Sequence, residues 1–145
     1  MKIHTQMSFS AAHVLPTDTK CGRLHGHNWK VEVGIEGKIK EGGVVIDFYD
    51  VKLVIADLDH KIILRKSYSE EAITHSNSLK YRINGKIYIF PTEDVVFISD
   101  EPTCENIARL IWRRLDKLVS SPKVIEVKVW ESEYSWSADK GGQSE

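Results

Sequence analysis

The stretch Cys21-Gly22-Arg23-Leu24-His25-Gly26-His27-Asn28-Trp29-Lys30-Val31-Glu32-Val33-Gly34-Ile35-Glu36 decides the fold. From His27 to Gly37 apolar residues recur at every second position, with Trp29, Val31, Val33 and Ile35 on one face. That period of two is a strand. Gly34 interrupts the opposite face and marks the place for a bulge. Upstream, Ile3 to Ala11 has the same alternation, with Ile3, Thr5, Met7 and Phe9 sharing a face. The loop Pro16–Gly26 joins the two strands.

The same stretch concentrates metal-binding chemistry. Side chains at i and i+2 of a strand project together, so His25 and His27 face one way with Gly26 leaving room between them. His13 stands at the end of the preceding strand. Three neutral imidazoles suffice to hold a catalytic zinc with one position open. Cys21, four residues before His25, is either a fourth ligand that closes the site or a free thiol made acidic by a neighbouring cation. His4 and His75 have no such company and read as ordinary surface or hydrogen-bonded residues.

Downstream, Gly42-Gly43 punctuates the chain. Asp47 is placed to cap a helix carrying Val51, Val54, Ile55 and Leu58 at helical spacing and ending near Asp59-His60. A second helix follows Pro102-Thr103, with Thr103 as N-cap, Glu105 suited to the positive end of the dipole, and Ile107, Leu110, Ile111, Leu115 and Leu118 as its apolar stripe. Pro122 stops it. Val124 to Glu131 reads as a last strand with Ile125, Val127, Val129 and Glu131 on one face if it is regular, and Tyr134 to Ala138 continues or pairs with it. Gly141 to Glu145 reads as a frayed tail. Residues 65–100 are long for a connection. Within them Asn84-Gly85, between Tyr81-Arg82-Ile83 and Ile87-Tyr88-Ile89, signals a hairpin, and Val95 to Ile98 supplies another short strand. The order predicts an α+β domain spanning residues 1–145 with an antiparallel sheet.

Composition narrows the function classes. Lys plus Arg number 20 against 21 Asp plus Glu, a formal charge of −1, which offers no electrostatic case for nucleic acid or an anionic membrane. No apolar run approaches the ~20 residues needed to span a bilayer, and Met1-Lys2-Ile3-His4-Thr5 has no signal-peptide character. The two cysteines, Cys21 and Cys104, are expected to remain thiols in a cytoplasmic setting. Cys104, in the first turn of the second helix, is expected to serve packing. Asp59-His60 is a carboxylate–imidazole pair of the kind that relays protons, although alone it reads as a solvated helix end. Glu131, at a strand end, is either an ordinary carboxylate or an acceptor of two parallel N–H bonds from a guanidine-like ligand edge.

Taken together, Phe9-Ser10-Ala11-Ala12-His13, Cys21-Gly22-Arg23-Leu24-His25-Gly26-His27-Asn28, Val45-Ile46-Asp47-Phe48, Leu58-Asp59-His60, Pro102-Thr103-Cys104-Glu105-Asn106 and Trp130-Glu131-Ser132 resemble the 6-pyruvoyltetrahydropterin synthase and 6-carboxytetrahydropterin synthase family over most of the chain. The resemblance implies the tunnelling fold: an antiparallel four-stranded sheet with two helices between strands two and three, here with a hairpin insert. It implies trimers whose sheets close into a barrel, stacking as hexamers, with active sites between subunits. The implied substrate is 7,8-dihydroneopterin triphosphate, a pterin. His13, His25 and His27 map onto the zinc ligands and Cys21 onto the proton-abstracting base. His60 maps onto the relay, tuned by Asp59. Glu131 maps onto the carboxylate that anchors the aminopyrimidine edge and is often counted in the relay. Thr103 and Glu105 map onto a helix start near the pterin pocket.

The family divides by product. Pyruvoyl-forming enzymes of the animal type have a longer gap between the cysteine and His-Gly-His. Here three residues separate Cys21 from His25, as in the carboxy-forming enzymes of the queuosine and archaeosine route. Those eliminate triphosphate and acetaldehyde to leave 6-carboxy-5,6,7,8-tetrahydropterin. A third branch, forming a 6-hydroxymethyl pterin, often uses a glutamate in the cysteine loop; Pro16 to Leu24 holds only Asp18. Two departures stand out: the long insert between His60 and Pro102, and Cys104 in place of the more frequent serine.

Overall fold

The computed structural model describes residues 1–71, 77–119 and 123–141. His75, Pro122 as the helix stop, and the tail beyond Gly141 lie outside the described residues. The two alternating runs form β1 (Lys2–His13) and β2 (His25–Glu36), paired antiparallel from Lys2↔Glu36 to His13↔His25. Both extend further than their apolar periodicity. His13 and His25 are the last residues of the ladder and stand directly opposite one another.

After β2 come α1 (Phe48–Ala56), β3 (Lys61–Arg65), β4 (Ser69–Glu71), β5 (Ser78–Ile83), β6 (Lys86–Pro91), β7 (Val95–Ile98), α2 (Cys104–Leu118), β8 (Lys123–Trp130) and β9 (Trp136–Asp139). Two caps act as expected. Asp47 Oδ1 accepts from Tyr49 N at 2.8 Å, and Thr103 Oγ1 accepts from Asn106 N at 3.3 Å. Both helices lie on one face of the main sheet, where Phe9, Trp29, Val31, Val33, Val127 and Val129 meet Val51, Ile55, Ile107, Ile111 and Leu115. Leu118, expected in that stripe, is instead exposed in the last turn of α2.

The antiparallel four-stranded sheet is corrected to a six-stranded mixed one, in the order β7-β3-β1-β2-β8-β9. The added strands β3 and β7 run parallel, β3 against the end of β1 and β7 against β3. Parallel neighbours need a long crossover, and here α1 and the insert supply those connections. The helices still fall between β2 and β8, but with β3 to β7 intervening. The irregularity at Gly34 is present as a register shift: Gly34 pairs with Glu126 and Ile35 with Val124, leaving Ile125 unpaired on β8. The bulge moves Val124 to the buried face with Val127 and Val129, where a regular strand would have put Ile125.

The insert is a separate three-stranded sheet, β4-β5-β6. Asn84 (φ 52°) and Gly85 (φ 71°) form its two-residue turn, the pair of positive φ values that a primed hairpin turn requires. Leu79, Tyr81 and Ile83 pack against Leu64 of β3 and against Val14, the residue after His13. The insert is thereby tied to the end of the sheet where the histidines lie.

Candidate active site

His13, His25 and His27 occupy the end of the helix-covered face of β1 and β2. Trp29 is their floor: it is fully buried, donates from Nε1 to Ala11 O at 3.2 Å, and its ring centroid lies 5.1 Å from those of His13 and His27. His13 is 1% exposed. Its Nδ1 is bonded to Pro102 O at 2.7 Å, and His25 Nδ1 is bonded to Arg23 O at 2.7 Å. A carbonyl only accepts, so both Nδ1 atoms carry their protons and both Nε2 atoms present lone pairs. Those two Nε2 atoms face each other at 3.1 Å. Two facing lone pairs repel unless a cation lies between them. Tetrahedral Zn–N bonds of about 2.05 Å place nitrogens about 3.3 Å apart, which is close to this spacing. His27 Nε2 is buried and makes no hydrogen bond, although the Glu131 carboxylate faces it at 3.3 Å. The donor set fits a metal ion on chemical grounds, and the carbonyl anchors are the outer partners that fix metal-binding imidazoles.

Glu131 is the fourth member of the group. The ligand atoms of His13, His25, His27 and Glu131 lie within 4.8 Å of one another, and Glu131 Oε1 is 3.3 Å from His27 Nε2. Burial drives the His13 imidazole down to about 4 and also lowers that of His27, against the opposing pull of Glu131. Low basicity keeps the His13 and His27 imidazoles neutral and available to a metal.

Asp59 and His60 are joined to this end of the sheet through Ser10. The Ser10 amide donates to Asp59 Oδ1 at 2.8 Å, and the His60 amide donates to Ser10 O at 2.7 Å. His60 Nδ1 lies 3.0 Å from Asp59 Oδ2. Side chains of sequence neighbours seldom meet this way; here the backbone of His60 stands at φ 58°, a conformation uncommon outside glycine and concentrated at functional sites. The Ser10 amide, with the imidazole second, holds the Asp59 carboxyl below the usual carboxylate range. His60 is open to solvent, its side chain 84% exposed. Together with His27, Ser10, Asn28 and Lys61 it lines a cleft of about 420 Å³. His60 therefore shares one space with the paired ends of β1 and β2.

The remaining predicted residues are distributed around this centre. Cys21 lies in a short 3-10 turn, Lys20–Gly22, as a half-buried free thiol. It does not belong to the group of ligand atoms found among the described residues. Thr103 caps α2 directly after Pro102, whose carbonyl holds His13. Glu105 faces a different cleft, between α2 and β9, with Arg109 and Asp139. Cys104 packs: its Sγ donates to Val129 O at 3.2 Å and accepts from Ser137 Oγ at 3.1 Å, and burial raises its thiol. The reading of single residues missed Pro102 and Arg23, whose contribution is a backbone carbonyl that no side-chain pattern reveals.

Comparison with known proteins agrees with this geometry. Residues 2–140 match the family model described as 6-pyruvoyl tetrahydropterin synthase. The chain is 34% identical to the 6-carboxy-5,6,7,8-tetrahydropterin synthase of Haemophilus influenzae, over 93% of this chain and 95% of that one. It is 30% identical to the enzyme of the same name from Rickettsia bellii, over 91% and 94%. A solved structure of Plasmodium vivax 6-pyruvoyltetrahydropterin synthase, altered at a catalytic residue, superposes with a TM-score of 0.75 at 25% identity, covering 96% of each chain. The chain belongs to the 6-pyruvoyl tetrahydropterin synthase family and is an enzyme of that lyase type.

Proposed function

We propose that this enzyme is a zinc-dependent 6-carboxy-5,6,7,8-tetrahydropterin synthase, converting 7,8-dihydroneopterin triphosphate with loss of triphosphate and acetaldehyde. The observation that carries the metal-dependent part is the pair of Nε2 lone pairs facing each other at 3.1 Å, with a third buried imidazole nitrogen beside them. The product rests on the three-residue gap between Cys21 and His25 and on relatives that bear the carboxy-forming name.

His13, His25 and His27 would hold the zinc, which when bound supplies Lewis-acid polarisation of the substrate's side-chain oxygens. Cys21 removes a carbon-bound proton as a thiolate. His60 carries protons between the cleft and solvent, and Asp59 holds its Nδ1 so that Nε2 is the exchanging atom. Glu131 accepts the N–H edge of the pterin. Thr103 fixes the start of α2 beside that edge, and Glu105 acts from a neighbouring cleft. The cleft volume lies within the range of small-molecule sites. β7 and β9 end the sheet, and self-association into trimers or hexamers would cover such edges. No helix among the described residues is long and apolar enough to cross a membrane, and a cytoplasmic setting suits two thiols.

The test is product identity. Zinc-loaded enzyme is incubated with 7,8-dihydroneopterin triphosphate and the pterin identified by mass spectrometry. The expected result is the 6-carboxy product with acetaldehyde; a 6-pyruvoyl or 6-hydroxymethyl pterin would overturn it. Cys21→Ala should abolish turnover and keep the zinc, whereas loss of zinc in that variant would make Cys21 a ligand.

A further inference from the structure

The turn of the insert reaches the cysteine loop. Asn84 Nδ2 donates to Leu15 O at 2.8 Å and to Gly22 O at 3.0 Å, bridging chain positions before and after Cys21. Between those points the loop closes on itself. Leu15 N donates to Cys21 O at 3.0 Å, Gly22 N to Thr19 O at 3.0 Å, and Arg23 N to Lys20 O at 3.1 Å. The next carbonyl, Arg23 O, is the one that holds His25 Nδ1. One amide group therefore pins both flanks of the thiol and the segment leading to a metal-site imidazole. The approach is tight: a Cβ on Gly22 would lie 2.9 Å from Asn84 Nδ2.

The turn itself gives Asn84 its aim. Ile83↔Lys86 is the last pair of the β5–β6 ladder, so the amide projects from a rigid two-residue turn rather than a wandering loop. Behind it, Tyr81 and Ile83 are buried against Val14 and Leu64. At the base of the insert, Arg65 pairs with Glu101, and Tyr68 Oη donates to Glu101 Oε1 at 2.8 Å. The hairpin is thus anchored at its foot and in its body, and its tip meets the loop.

We propose that the insert is a brace for the Cys21 loop, and that Asn84 is a positioning residue setting the orientation and reactivity of the Cys21 thiol. The catalytic consequence rests on the proposed function of Cys21; the brace itself does not. The amide is suited to this task because it offers two N–H donors to two carbonyl acceptors. Aspartate, of the same size, would turn an acceptor toward both carbonyls. Glycine would remove the side chain while keeping the positive φ.

The experiment compares wild type, Asn84→Gly and Asn84→Asp as zinc-loaded full-length enzyme. The readouts are the pH profile of iodoacetamide alkylation at Cys21, located by mass spectrometry; kcat and KM for the pterin triphosphate; zinc content; and amide hydrogen exchange. Cys104 is buried and does not compete for the reagent. Both variants should lower kcat roughly 10- to 100-fold, the cost of a misplaced reacting group, with little change in KM or zinc content and a displaced alkylation profile. Hydrogen exchange should rise in residues 15–22 and stay unchanged in β5 and β6, which separates loss of the brace from loss of the hairpin. Alkylation and exchange profiles matching wild type in both variants would overturn the proposal. A Cys21→Ala enzyme that still turns over would remove the base assignment and leave the brace standing.

Discussion

The imidazoles and the thiol lie a few residues apart in sequence but are held by different means. His13 and His25 close an antiparallel ladder running without a break from Lys2↔Glu36. His27 continues the same strand over a fully buried Trp29. Their positions follow from strand register, and each further backbone bond in the ladder reinforces them. Cys21 has no ladder. Its loop is kept in shape by its own turns and by an amide arriving from the insert. A metal site needs nitrogens at fixed separations, which β-pairing provides. The base proposed at Cys21 must be placed yet reach a substrate, and a braced loop leaves that latitude.

Four changes probe the two sides of this comparison. The largest effect belongs to the ladder: His13→Ala should lose metal and activity together, checked by metal content after dialysis. Full metal retention there would mean that the ladder does not define the site. Glu131→Gln comes next. It should keep the zinc but lower catalytic efficiency by about 10- to 100-fold, as expected when a charge-assisted bond to a ligand is lost. If the metal leaves with the carboxylate, Glu131 is a ligand and the site is closed.

Third, pH titrates the ladder's burial. Burial places folded His13 at about 4, against an unfolded value near 6.5. Between these values the unfolded chain binds the proton and the folded chain does not. Stability in the metal-free protein is therefore present above pH 6.5 and falls as pH drops toward 4. The full shift is worth about 3 kcal/mol. Urea midpoints across that window, compared with His13→Gln, measure it; identical slopes would remove His13 as the source. Fourth and smallest, Gly22→Ala sets a methyl 1.8 Å from Thr17 O. The loop must shift, at about 1–3 kcal/mol, and Cys21 alkylation should change while zinc content does not.

Local signals in the sequence account for much of this architecture. Period-two runs identify β1, β2 and β8, Asp47 and Thr103 act as caps, Asn84-Gly85 turns a hairpin, and Gly34 lies at the bulge. His13, His25, His27 and Glu131 do converge. The six-stranded mixed sheet was not legible, because β3 and β7 are five- and four-residue strands whose parallel partners lie far along the chain. The strand is not regular at Ile125, because the extra residue of the bulge reverses alternation there. Asp59-His60 does lie in the turn after α1, but nothing local announces its histidine at positive φ or its tie to Ser10. Asn84 was legible as a turn residue; its amide contacts with the cysteine loop required the folded insert.

The register pair His13↔His25 also carries a lesson about variation. Residues 14–24 leave the ladder at one partner and re-enter at the other, so the strands fix both ends whatever the intervening length. Insertions or deletions in that segment would move the proposed base while leaving the histidine register His13↔His25 in place. Any such change would also have to keep, or do without, the Asn84 contacts to Leu15 O and Gly22 O.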